Sequence, residues 1–194
     1  MRNQKGCLEV ICGSMFSGKS EELIRRLRRS EIAKKNVVTF KHSLDDRKAI
    51  EFVVSHCGNK LKAYATAQIS EIEKLVFDNT DIIGIDEVQF YDKSIVNLIC
   101  KFLDAGKKVI VAGLDLDFRG VPFGVMPVLL AIADNVTKLK AICMECGKDA
   151  QFTQRLVDGK AAKFDDPIIL VGAEECYQAR CRGCFDIDKS PVLF

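Results

Sequence analysis

The chain has 194 residues, 48% of them hydrophobic, enough for one α/β unit with a small appendage and an ordinary buried core. A formal net charge of +2 offers no overall pull towards a polyanion, so no nucleic-acid partner is expected. No run approaches the ~18–20 apolar residues of a membrane span, and Met1-Arg-Asn-Gln-Lys5 leads into no secretory apolar segment, so a cytoplasmic protein without a membrane partner is expected.

Leu8–Cys12 reads as a short apolar strand. Gly13-Ser14-Met15-Phe16-Ser17-Gly18-Lys19-Ser20 follows it and fits G-x-x-x-x-G-K-[ST], the phosphate-cradling loop. The two glycines let the backbone turn its N–H groups inward onto phosphate oxygens, and the next helix adds partial positive charge at its N-terminus. Lys19 would reach the β- and γ-phosphates, and the Ser20 hydroxyl would ligate Mg²⁺. A strand before and a helix after argue against a chance glycine turn. By itself the loop says only that a nucleoside triphosphate binds.

The helix carries Leu23, Ile24 and Leu27 on one face. Its basic run, Arg25, Arg26, Arg28, Arg29, Lys34 and Lys35, reads as a solvated face with cations towards the C-terminal end, in preference to a polyanion patch. Val37–Phe40 is the second strand. His42 to Lys62 is polar and long for a plain connection; it includes Asp45-Asp46-Arg47 and is expected to be a mobile functional loop or one ordered by ligand. His42 and His56 have no partner spacing that would support metal ligation.

Asp81–Ile85 is the third strand and ends in Asp86 and Glu87. The acid closing such a strand helps hold Mg²⁺, often through water, which suits Asp86. Glu87 could take a proton from a hydroxyl or position a water. The residues alone leave both a kinase and an NTPase open. Ser94–Leu103 is helix-spaced through Ile95, Leu98, Ile99 and Phe102, and Gly106 closes it. Lys108–Ala112 is the fourth strand. Short, nearly continuous apolar strands alternating with helices predict a parallel sheet covered on both faces.

From about residue 140 the α/β alternation gives way to cysteine pairs and short extended stretches. The expected division is 1–140 and 141–194. Nine cysteines are many for a reducing compartment, where disulfides are not expected. Cys7, Cys12, Cys57, Cys100 and Cys176 are scattered; Cys12 and Cys100 lie in apolar runs and read as small buried hydrophobes. Cys143-Met-Glu-Cys146 and Cys181-Arg-Gly-Cys184 are two C-x-x-C units separated by 34 residues. Two such knuckles can close a tetrahedral site, and four thiolates favour Zn²⁺. A thioredoxin-like redox site needs one such unit, not two. With every ligand a protein thiolate, the zinc would be structural and would tie the base of a long loop, a suitable lid against water.

Five blocks together resemble the thymidine kinases of the type found in animal cytosol and many bacteria. They are Gly13–Ser20, Asp86-Glu-Val-Gln-Phe90, Gly113-Leu-Asp-Leu-Asp-Phe-Arg-Gly-Val-Pro-Phe-Gly124, Cys143–Cys146 with Thr153-Gln-Arg155, and Tyr177–Cys184. The resemblance implies a RecA-like P-loop domain with a small zinc-binding lasso domain. It also implies transfer of the ATP γ-phosphoryl to the 5′-hydroxyl of thymidine or deoxyuridine, a homotetramer, and feedback inhibition by thymidine triphosphate. Glu87 would then be the general base. Gly13 to Ser20, Asp86 and Gln89 would serve ATP and Mg²⁺. Met15, Phe90, Leu114, Phe118, Phe123 and Thr153 would line the nucleoside pocket. Tyr177 and the backbone of Ile168, Ile169, Leu170, Val171 and Gly172 would hold the base. Peptide groups can match the pyrimidine 4-carbonyl and N3–H, and cytosine would mispair them. Arg155 and Arg47 would be phosphate-charge partners. Ser14 stands where proline is common in the family, and Val88 where a small residue also occurs; neither removes a group the chemistry needs. The rival is a zinc-ribbon ATPase acting on nucleic acid, which the near-neutral charge disfavours. A nucleotide-gated interaction module would leave Glu87 and the phenylalanines unexplained.

Overall fold

The computed structural model describes residues 5–43, 52–54, 60–168 and 176–189. Strand β1 (Cys7–Cys12) runs into the glycine loop and helix α1 (Lys19–Ile32), and β2 (Val37–His42) follows. A short antiparallel ribbon, β3 (Phe52–Val54) with β4 (Lys60–Lys62), precedes β5 (Tyr64–Thr66) and α2 (Ile69–Leu75). Next come β6 (Ile82–Asp86), a 3₁₀ turn at Val88–Phe90, α3 (Ser94–Asp104), β7 (Lys108–Gly113), α4 (Met126–Ile132) and β8 (Asn135–Lys138). Among the described residues, strands alone follow: β9 (Ala141–Ile142), β10 (Asp149–Ala150), β11 (Phe152–Val157), β12 (Lys160–Ala161) and β13 (Cys176–Arg180).

The central sheet has the order β5-β2-β6-β7-β1-β8, and every pairing in it is parallel. The expected strands are its four inner ones. Their side chains alternate between two cores, as the period of two requires. Leu8, Val10, Ile83, Ile85, Val109 and Val111 meet α2, α3 and α4 through Ile72, Ile95, Ile99 and Leu129. Ile11, Ile82, Ile110 and Ala112 meet α1 through Leu23, Ile24 and Leu27, and Val53 and Leu61 of the ribbon join this second core. A sheet buried on both faces is thus built from runs with no polar alternation, as expected.

Two details depart from the sequence reading. Cys100 is exposed. It follows Ile99, and the ~100° turn per helical residue carries it off the apolar face of α3. The polar stretch from His42 to Lys62 is not one long loop, because β3 and β4 pair within it. The remainder, including Asp45, Asp46, Arg47, His56 and Cys57, lies outside the described residues. The basic face of α1 is largely engaged within the chain: Arg25 pairs with Glu22, and Arg26 bonds Glu9, Glu22 and Thr137. No helix among the described residues is long and apolar enough to cross a membrane.

Candidate active site

The carboxyl ends of β1, β6 and β7 lie side by side, where open α/β sheets gather their ligands. The loop from Gly13 to Ser20 leaves β1 through positive φ angles at Gly13 (146°), Phe16 (65°) and Gly18 (85°). Phe16 is the one non-glycine among these three, and such strained residues concentrate at ligand clamps. Gly18 opens α1, so the helix N-terminus points its free N–H groups at the loop. Lys19 is buried, and its Nζ donates to the Ser14 carbonyl at 2.8 Å. Burial pulls its pKa down, while the charges of Glu87, Asp86 and Asp115 oppose that fall. A buried ammonium group at the mouth of this loop suits the β/γ-phosphates of a nucleotide.

Asp86 closes β6 and is buried. Burial first, and then the adjacent Glu87 charge, push its carboxyl up to about 7; bonding to the Ser20 hydroxyl and the charge of Lys19 pull the other way. A divalent cation beside Ser20 and Asp86 would favour the ionised carboxylate, so these residues fit Mg²⁺. Glu87 follows in the left-handed region at φ 53°, and its backbone N–H donates to Asp86 Oδ1 at 3.1 Å. Its Oε2 accepts from Gln89 Nε2 at 2.5 Å, and Gln89 Oε1 accepts from the Leu114 N–H at 3.1 Å. Gln89, expected with the ATP and Mg²⁺ set, therefore spends both ends of its amide on the protein.

Phe90 meets Phe123 edge-on at 5.6 Å between ring centroids, and the buried His42 ring lies 5.9 Å from Phe90 and 4.6 Å from Tyr91. The segment after β7 turns back on itself through a Leu116–Pro122 bridge, and Phe123 N–H bonds the Asp115 carbonyl. Asp117 pins this turn, accepting from the N–H groups of Arg119 and Val121 and from the Arg119 guanidinium. Phe118 is buried beneath the Arg155 guanidinium, 5.0 Å from its ring centroid.

The cysteine-bearing segment reaches the phosphate loop through β11. Thr153 Oγ1 accepts from the Met15 N–H at 3.0 Å, a contact with the loop backbone. Arg155 is wholly buried, and its Nη1 donates to the Pro167 carbonyl at 2.6 Å. Tyr177 on β13 stands opposite Arg155 in the ladder. Ile168 is partly exposed. Ile169, Leu170, Val171, Gly172 and Arg47 lie outside the described residues.

Cys143, Cys146, Cys181 and Cys184 converge, their Sγ atoms all within 4.8 Å of one another and Cys146–Cys181 at 3.6 Å. A Zn–S bond of about 2.3 Å implies tetrahedral Sγ–Sγ edges of about 3.8 Å, so the cluster fits Zn²⁺. The Cys184 S–H donates to Cys146 and Cys181, which pushes this thiol up to about 12; a bound cation would reverse that by favouring thiolates. The turns place each pair: Gly147 N–H bonds the Cys143 carbonyl, and Cys184 N–H bonds the Cys181 carbonyl.

Two acids and a lysine of the site have no role in the sequence reading, although Asp115 and Asp117 stand within its Gly113–Gly124 block. Asp115 is buried and pairs with Lys138 Nζ at 2.7 Å, which joins the ends of β7 and β8 across β1; Asp117 pins the turn above. The two acids alternate with Leu114, Leu116 and Phe118 just past β7, a local pattern that does not give their partners. A separate open hollow of about 570 Å³ lies where β7 and β8 begin, lined by Arg25, Arg26, Arg29 and Lys108. Glu9 and Glu22 pair with Arg25, Arg26 and Lys108 there, and the hollow lies at the end of the parallel sheet opposite the glycine loop and Asp86.

The thymidine kinase family model matches residues 6–185. The match spans most of the chain, which therefore belongs to the thymidine kinase family and is an ATP-dependent phosphotransferase acting on thymidine.

Proposed function

We propose that this family member carries out its phosphoryl transfer with Glu87 as general base and with the donor held by Gly13 to Ser20 and Asp86. The observation that carries this is the emergence of Lys19, Ser20, Asp86 and Glu87, with Lys19 and Asp86 buried, at the carboxyl ends of β1 and β6 on either side of β7. Lys19 leaves the Ser14 carbonyl for the phosphates. Mg²⁺, when bound by Ser20 and Asp86, neutralises charge on the donor oxygens. The 5′-oxygen of thymidine attacks the γ-phosphorus, the bond to the β–γ bridging oxygen breaks, and ADP leaves with that electron pair. Glu87 receives the 5′-hydroxyl proton. Phe90, Leu114, Phe118 and Phe123 line the nucleoside side, with Tyr177 and the segment from Ile168 over the base. Excluding water there protects the γ-phosphoryl from hydrolysis.

The same reading divides the chain at residue 140 into an ATP-binding domain (1–140) and a zinc-tied lid (141–194); the change from parallel sheet to short ribbons supports it. Zn²⁺ held by the four cysteines is structural, since four protein thiolates leave no open position. Deoxyuridine as a second acceptor, a homotetramer, feedback inhibition by thymidine triphosphate and a cytoplasmic site of action belong to this reading through the family resemblance. The test is transfer from γ-labelled ATP with Mg²⁺ to thymidine, deoxyuridine, deoxycytidine or water, offered separately. Labelled thymidine and deoxyuridine monophosphates with little deoxycytidine product support it. Labelled inorganic phosphate as the main product, whatever nucleoside is offered, contradicts it.

A further inference from the structure

Gln89 is almost fully buried, with 3% of its surface exposed, in the 3₁₀ turn directly after Glu87. The polarity of its amide is decided by its neighbours. The Leu114 N–H can only donate, so the amide oxygen must face it, which leaves the NH₂ end for Glu87. Two glycines make room for it. A Cβ at Gly113 would fall 2.5 Å from Gln89 Oε1, and one at Gly124 would fall 2.3 Å from the Gln89 carbonyl oxygen. Gln89 therefore sits in a socket cut from both ends of the 113–124 segment, which carries Leu114, Phe118 and Phe123.

From this we infer that Gln89 is a positioning residue for Glu87, locking the base to the nucleoside-lining segment rather than contacting the donor phosphates. Its NH₂ group holds Glu87 Oε2 and so fixes the carboxylate rotamer. Oε1 of Glu87 then remains for the acceptor hydroxyl. The backbone at Glu87 is left-handed, a conformation that persists only when its surroundings over-determine it. The link from Gln89 to Leu114 supplies that restraint and ties the base to the segment that lines the nucleoside. A base held this way needs no reorganisation when thymidine arrives.

The inference rests on the reading of Glu87 as base, and the experiment separates the two. Gln89→Met keeps length and fills the socket but removes both hydrogen bonds. Gln89→Glu keeps an acceptor for Leu114 and sets a second carboxylate against Glu87. For each, kcat, both KM values and the calorimetric Kd of ADP·Mg²⁺ are measured, alone and in a Glu87→Gln background. In the Glu87 background, Gln89→Met and Gln89→Glu should each lower kcat roughly 10–100-fold, with the ADP Kd held within about twofold. In the Glu87→Gln background, adding Gln89→Met should change the residual rate by less than about threefold, because its effect acts through Glu87. A loss of ADP affinity in step with kcat, or an equal loss in both backgrounds, overturns the inference. Near-normal kcat in Glu87→Gln removes the base reading itself. Normal Gln89 variants beside an inactive Glu87→Gln sink only the role given to Gln89.

Discussion

Replacing Thr153 by valine tests whether the zinc-tied segment buttresses the phosphate loop. Valine keeps the branched shape and removes one oxygen, the acceptor of the Met15 N–H at 3.0 Å. Thr153 is only 3% exposed, so little water can take its place. Leaving a buried N–H unsatisfied costs about 1–3 kcal/mol. Met15 itself is half-buried, which argues for the lower part of that range, about 1–2 kcal/mol. For a chain of this size each kcal/mol shifts the melting midpoint by about 2–4 °C, so the expected fall is ~2–8 °C. Because Met15 belongs to the loop that cradles phosphate, ATP affinity should weaken by up to the same free energy, roughly 5–30-fold. Scanning calorimetry gives the midpoint and titration calorimetry the Kd of ADP·Mg²⁺. Thr153→Ser, which restores the oxygen, should recover both. If Thr153→Val keeps its midpoint and its ADP affinity while thymidine KM rises, Thr153 serves the nucleoside and the buttress argument is wrong.

Glu87→Gln should fold, retain zinc and lose roughly 10²–10⁴-fold in kcat, read by coupled ADP release; a rate near that of the parent protein contradicts the base role. Cys181→Ser should lower bound zinc, measured by elemental analysis, and raise hydrogen exchange in β9 to β13 while leaving β1, β6 and β7 protected. Loss of protection throughout the central sheet would show that the metal supports the whole fold rather than the lid. At Glu9, burial works upward, but the bonds from Lys108 and Arg26 outweigh it and hold the carboxyl below its ordinary value of 4.5. A depressed carboxylate lends its stability fully above the unfolded value, and that stability drains away as pH falls through the folded one. The melting midpoint should therefore drop more steeply below about pH 4.5 in the parent than in Glu9→Gln; parallel curves would deny Glu9 that part.

The glycine loop and the Asp86–Glu87 pair were legible because each is local. A phosphate cradle needs glycines and a lysine at set spacing along one turn, and the strand before it advertises itself through a run that is apolar but for Glu9. The same holds for the cysteine knuckles, whose spacing within each pair already carries the ligand geometry. The outer strands were not legible. Tyr64–Thr66 and Asn135–Lys138 are short and lack an apolar run, and they become strands because β2 and β1 offer them unsatisfied edges. Cys100 shows the opposite failure, since an apolar run in a helix still turns every fourth residue or so to water.

Local chemistry in the chain thus determined which residues can grip phosphate, accept a proton and bind a soft metal. It also determined that four strands must be buried on both faces. Tertiary structure alone decided which of these groups meet. Gln89 reaches Leu114 across 25 residues of sequence, Asp115 reaches Lys138 past the end of β1, and Thr153 reaches Met15 across 138 residues. None of these partners has a fixed spacing, because each contact depends on the order of strands in the sheet and on how the zinc-tied segment folds back over it. Such contacts carry no periodicity or motif in the sequence. They exist only once strand pairing has brought distant carboxyl ends together and burial has made every unpaired polar atom costly.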